Sequence, residues 1–109
     1  MELHTLSPFD YYLILDSRQA PSLVIFTSPA CGACKRVVSL LENNHIQVPG
    51  LKCYVIEAHQ SAGLVEELEI FHLPALFLYA QGELVTQLQC VLQLQAIEAS
   101  IRQALSEKM

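Results

Sequence analysis

The spacing of apolar residues changes several times along the chain, and each change predicts a new strand or helix. A short continuous apolar run with β-branched residues, at residues 23–27, is typical of a strand covered on both faces. Residues 51–56 and 75–79 are predicted as a second and a third strand. Apolar residues at helical spacing predict helices at about residues 31–43 and 61–69. The resulting order is β-α-β-α-β.

A further helix is predicted before the first strand. Ser7 can accept a hydrogen bond from a free backbone amide, Pro8 suits a first helical turn, and Asp10 stands in the capping-box position. These residues predict a helix from about Pro8 to Ser17, which Pro21 ends.

A hairpin and a closing helix are predicted after the third strand. Gln81-Gly82 predicts a turn into a fourth strand at residues 83–89. Apolar residues then recur at the spacing of an amphipathic helix: Leu94, Ile97, Ile101 and Leu105.

Length and composition favour one packed domain over residues 1–109, because 52% of the residues are hydrophobic and no linker or repeat divides the chain. A net charge of −5 and six scattered Lys and Arg residues leave no basic patch for nucleic acid. The apolar runs are too short to span a bilayer, and the first residues lack the pattern of a secretory signal. We therefore expect a cytoplasmic monomer that binds neither nucleic acid nor membrane.

Candidate chemistry lies at the junction between the first central strand and the helix that follows, where Cys31 and Cys34 stand two residues apart. The pair suits a reactive dithiol, half of a zinc site or two packed sulfurs. Zinc needs a second pair of ligands, and Cys53 and Cys90 each stand alone. We expect no metal, and we expect Cys53 to be a small core residue.

A cysteine at a helix N-terminus faces unpaired N–H groups and the positive end of the helix dipole. Both favour the thiolate, so we expect the pKa of Cys31 to lie below the ordinary thiol value of about 8.5. Cys31 is then the nucleophile. Cys34, one turn later, is shielded and placed to attack the mixed disulfide that Cys31 forms.

Three segments together resemble the thioredoxin family: Cys-Gly-Ala-Cys-Lys at 31–35, Ile-Phe-His-Leu-Pro at 70–74 and Gln-Gly-Glu at 81–83. The resemblance implies an α/β thioredoxin-like fold, with a central mixed β-sheet of about four strands flanked by helices. It also implies a thiol–disulfide oxidoreductase that acts on protein disulfides. Such an enzyme needs no cofactor beyond its own dithiol, and an external thiol reductant or reductase recharges it.

The resemblance further implies which residues line the substrate groove, with Pro74 as a cis-proline opposite the cysteines. These groove residues are Ala30, Gly32, Ala33, Leu73 and Pro74.

Three more residues are candidate modulators of the dithiol: Lys35, His72 and Cys90. His72 can stabilise a thiolate or pass a proton if it lies near the cysteines, and is otherwise a half-exposed loop residue. Cys90 stands where the family has a groove glycine, although a packed cysteine at a strand end is the simpler interpretation. His59 has no motif around it and is expected to be solvated.

Several positions depart from the family pattern. Ala30 replaces a tryptophan before the first cysteine, and Ala33 replaces a proline between the cysteines. Ile25 stands in place of a buried aspartate, and the lysine that accompanies this aspartate falls near Cys53, so both members of the buried pair are absent. These changes leave a second hypothesis open, a protein-interaction module with a vestigial dithiol. Retention of both cysteines favours the enzyme.

Overall fold

The fold is built on a five-stranded mixed β-sheet, seen in a computed structural model that describes residues 1–108. The strands in chain order are β1 (Leu3–Thr5), β2 (Ser22–Thr27), β3 (Lys52–Glu57), β4 (Ala75–Ala80) and β5 (Glu83–Gln87). In space they run β1-β3-β2-β4-β5. The predicted mixed sheet is confirmed, and its strand count rises from about four to five because β1 has only three residues, too few to show an alternating pattern.

Strand β2 lies at the centre of the sheet, parallel to β3 on one side and antiparallel to β4 on the other. Five of its six residues are buried. Its alternating side chains enter two separate cores, with Val24 and Phe26 in the first and Leu23 and Ile25 in the second. A continuous apolar run in the sequence therefore did indicate a strand covered on both faces.

Among residues 1–108, four α-helices cover the sheet: α1 (Tyr11–Ser17), α2 (Gly32–Glu42), α3 (Ala62–Glu67) and α4 (Leu94–Lys108). A short 3-10 helix, Ala58–Gln60, follows β3. Helices α1 and α3 contribute to the first core, and α2 and α4 to the second. Within residues 1–108, no helix combines the length and the apolar character that crossing a bilayer requires.

Helix α1 begins three residues later than the predicted start at Pro8, because residues 8–10 form a turn. The expected capping contacts nevertheless form around this turn. The N–H of Ser7 donates to Asp10 Oδ1 at 2.8 Å, and the N–H of Asp10 donates to Ser7 Oγ at 3.3 Å. Tyr11 then secures the helix to the sheet, since its hydroxyl lies 2.8 Å from that of Tyr79 inside the first core.

The turn between β4 and β5 needs glycine at Gly82. Both turn residues have positive φ, 56° at Gln81 and 74° at Gly82. A Cβ on Gly82 would lie 2.6 Å from the backbone oxygen of Asp16, so the turn packs directly against the end of α1. Strand β5 ends at Gln87, two residues before the predicted limit.

The register of β2 and β3 shows which residue lies beside Ile25. Ile25 pairs with Val55, whereas Cys53 pairs with Leu23, two residues away along the strands. The residue across from Ile25 is therefore Val55. Both Ile25 and Val55 are apolar, so neither member of this cross-strand pair can leave a buried charge unpaired.

Replacing Ile25 by aspartate should destabilise the protein by about 3–5 kcal/mol at neutral pH, because Ile25 is 0% exposed and no cation faces it from Val55. Burial raises the pKa of the introduced carboxyl above its unfolded value of about 4. The folded state then binds more protons than the unfolded state between these two pKa values, so stability should fall as pH rises through this window. Urea unfolding over a pH series measures the free energy of unfolding and its pH dependence.

Ile25→Asn is the matched control, since it introduces a polar group of the same shape without a charge. Ile25→Asp should match Ile25→Asn at low pH and become less stable than it at neutral pH. Equal stability of the two variants at neutral pH would contradict the prediction.

Candidate active site

The two cysteines of the C-x-x-C motif lie where β2 gives way to α2. After β2 the chain turns through Pro29 and Ala30, and the N–H of Cys31 donates to the carbonyl oxygen of Ser28 at 3.1 Å. Helix α2 then begins at Gly32. The predicted strand-to-helix junction is therefore present, and Cys31 is the N-cap residue of the helix.

Cys31 has the surroundings of a nucleophilic thiol. It is half-exposed and has extended backbone geometry, and its Sγ accepts a hydrogen bond from the N–H of Cys34 at 3.1 Å. This N–H is one of the helix donors that lack a partner within the helix. Together with the helix dipole, the bond favours negative charge on the sulfur.

Cys34 points inward because it shares a face of α2 with Val37 and Leu41, three and seven residues later. All three are buried, and Val37 and Leu41 belong to the second core. Cys34 is joined to Cys31 by a disulfide, with their Cα atoms 5.2 Å apart. One exposed and one buried sulfur can thus alternate between dithiol and disulfide.

A groove of about 300 Å³ runs along the start of β4 and the segment after β5. Pro74, His72, Cys90, Phe71 and Leu92 are among its lining residues. The Leu73–Pro74 peptide bond is cis, as the resemblance implied. Two of the candidate modulators, His72 and Cys90, therefore share a groove with Pro74.

The remaining predicted site residues lie on the two loops that lead into these elements. Ala30 and Gly32 are exposed, Ala33 and Leu73 are half-buried, and Lys35 is exposed on the first turn of α2. Their roles toward a substrate stay predictions.

Two residues that line a cavity together with Cys34, Ser28 and Glu57, were missed in the sequence. His59 is exposed, as expected, and its Nε2 lies 2.9 Å from Ser28 Oγ although the two residues are 31 positions apart. Glu57 was detectable in principle, because the carboxyl ends of neighbouring parallel strands meet at one edge of a sheet, and β2 leads directly to the cysteines.

The other two cysteines differ in their surroundings. Cys53 is fully buried on β3, which confirms that it is a core residue. This burial raises the pKa of its thiol to about 12. Cys90 is half-buried, with one side against the second core. In the described part of the chain, His, Cys, Asp and Glu side chains nowhere gather in a group of three or more that could hold a metal ion.

Comparison with known proteins decides the family. The sequence model of the thioredoxin family matches residues 2–103. The chain belongs to the thioredoxin family. No curated protein sequence matches it. For a member of the thioredoxin family, the C-x-x-C pair supports activity of the general thiol–disulfide oxidoreductase kind.

Solved structures of thioredoxins share the fold at low sequence identity. Thioredoxin f2 of Chlamydomonas reinhardtii superposes with a TM-score of 0.80 at 19% identity, covering 94% of this chain and 95% of that one. Thioredoxin of Trypanosoma brucei brucei gives a TM-score of 0.73 at 18% identity, covering 98% and 90%. Thioredoxin of Malassezia sympodialis gives 0.76 at 15% identity, covering 94% and 90%. At these identities the likeness establishes the fold.

In the reduced protein, iodoacetamide should modify Cys31 first, then Cys90, with Cys34 and Cys53 slowest. Cys31 is half-exposed at a helix N-terminus, whereas Cys34 and Cys53 are buried. At neutral pH, Cys53 should react more than about a hundredfold more slowly than Cys31, because its raised pKa leaves almost no thiolate. Peptide mapping by mass spectrometry over a time course measures the order.

Unfolding in guanidinium is the control, since it should make all four thiols react at similar rates. Native Cys53 reacting as fast as Cys31 would contradict the assignment of the two environments.

Proposed function

We propose that this protein is a thiol–disulfide oxidoreductase that exchanges disulfides with protein substrates through the Cys31-Gly-Ala-Cys34 dithiol. The observation that carries the proposal is the hydrogen bond from the N–H of Cys34 to Cys31 Sγ. It favours thiolate on the half-exposed cysteine of the pair, while the second cysteine is held within disulfide distance behind it.

The reaction takes two displacement steps. Cys31 thiolate attacks one sulfur of a substrate disulfide, forming a mixed disulfide and releasing the other substrate sulfur as a thiolate, which takes a proton from solvent. Cys34 then loses its proton and attacks Cys31 Sγ. The Cys31–Cys34 bond forms, the bond to the substrate breaks, and the substrate leaves with two electrons gained.

The groove that holds Pro74 supports a polypeptide substrate. Its lining combines the exposed side chain of Phe71 with Leu92 and His72, which offers apolar contact beside polar groups. We propose that the substrate segment flanking the target disulfide lies there. An external thiol reductant or a reductase returns Cys31–Cys34 to the dithiol, and the cycle uses no cofactor besides the dithiol itself.

The Cys34→Ser variant should accumulate mixed disulfides with protein substrates, because Cys31 can still attack but nothing resolves the product. Cys31→Ser should accumulate almost none, since Cys34, the remaining thiol of the pair, is buried. Non-reducing electrophoresis after incubation with disulfide-containing proteins, followed by reduction of the trapped species, measures the difference.

The double variant Cys31→Ser, Cys34→Ser sets the background from Cys53 and Cys90. Equal trapping by the two single variants would contradict the assigned roles. Absence of trapping by either, with no disulfide reduction by the wild type, would instead favour an interaction module whose dithiol is vestigial.

A further inference from the structure

The resolving step poses a problem of proton transfer. Cys34 is 1% exposed, and burial disfavours the thiolate that must attack Cys31. The sheet offers no acid or base where Ile25 and Val55 pair, because both are apolar. A proton leaving Cys34 therefore needs another route.

The space for such a route lies on one side of Cys34. The residue borders a cavity of about 260 Å³, large enough for several water molecules. Apolar side chains such as Val38 and Val55 form much of its wall, while Lys35 and Glu57 are its charged members. Glu57 carries the one carboxylate among these lining residues, all of which lie in the described part of the chain.

Glu57 is held in place at the end of β3. It pairs with Thr27, the last residue of β2, and its Oε1 accepts the N–H of His59 at 2.9 Å. Its second oxygen, Oε2, forms no hydrogen bond to any residue between 1 and 108. One oxygen thus fixes the side chain, and the other is free to take a proton.

The other titratable groups near the cavity are less suited to this role. Lys35, on α2, has an ammonium group, which has no lone pair to accept a proton. His59, on the turn after β3, has its Nε2 engaged with Ser28 Oγ at 2.9 Å. Of the groups that α2, β3 and this turn contribute, Glu57 alone combines a place in the cavity with a free acceptor.

We propose that Glu57 accepts the proton of Cys34 during the resolving step, directly or through water in the cavity. The proposal rests on the proposed function. The proton passes from Cys34 Sγ to the carboxylate, and the sulfur electron pair forms the Cys31–Cys34 bond. The Cys31–substrate bond breaks, and the departing substrate thiolate takes up a proton from solvent or from the Glu57 carboxylic acid.

Single-turnover kinetics with dithiobis(nitrobenzoate) separates the two steps, because each releases one coloured nitrothiobenzoate. The first release reports attack by Cys31 and the second reports resolution by Cys34. Glu57→Gln should leave the first rate within about twofold of wild type and slow the second about tenfold or more. The glutamine oxygen can still accept the N–H of His59, so the local structure should be retained.

The pH dependence distinguishes proton transfer from a structural role. Without the carboxylate, hydroxide becomes the base, so the second rate of Glu57→Gln should rise about tenfold for each pH unit. In Glu57→Ala, acetate should raise the second rate with its concentration, whereas chloride at equal ionic strength should not. A second rate slowed without a change in pH profile, or a lack of acetate rescue, would overturn the proposal.

Three variants complete the test. Glu66→Gln removes an exposed carboxylate from α3 and should leave both rates unchanged. Cys34→Ser should abolish the second release, which confirms its assignment. If His59→Ala slows the second release while Glu57→Gln does not, the imidazole is the base and the proposal is wrong. If the wild type shows neither release, the proposed function itself fails.

Discussion

The hydrogen bond from the N–H of Cys34 to Cys31 Sγ is the contact on which the candidate chemistry depends. It forms because Cys31 caps α2, and Cys31 caps α2 because β2 ends at Thr27 and the chain needs only a short turn before the helix begins. The end of β2 and the start of α2 together place Cys31 at the free helix donors.

The central position of β2 keeps that boundary fixed. β2 is paired on both sides, to β3 and β4, and its side chains enter both cores, so its end has little freedom to shift. Helix α2 is tied to the second core by the same face that carries Cys34. The packing that stabilises the helix also shields Cys34 from solvent.

Ile25 and Val55 form an apolar cross-strand pair, so no charged group is left unpaired at this point of the sheet. A lone charge at Ile25 would be buried without a partner, whereas the two apolar residues lie side by side in the sheet. Ionisable groups occur instead beside the cavity that Cys34 borders, where Glu57 at the end of β3 and Lys35 on α2 are lining residues. These charged groups thus lie at the end of a strand and on the first turn of α2 rather than beneath the cysteines.

The sequence by itself determined the order of most strands and helices, the strand-to-helix position of the C-x-x-C pair and the inward direction of Cys34, because each is written in the apolar spacing of one segment. It did not determine β1, whose three residues become a strand only by pairing with β3. Only the tertiary structure decided that Val55 faces Ile25, that His59 reaches Ser28 and that Glu57 shares a cavity with Cys34. The physical reason is that a segment's periodicity reflects its own burial, whereas register and cavities arise where hydrogen bonding brings distant segments together.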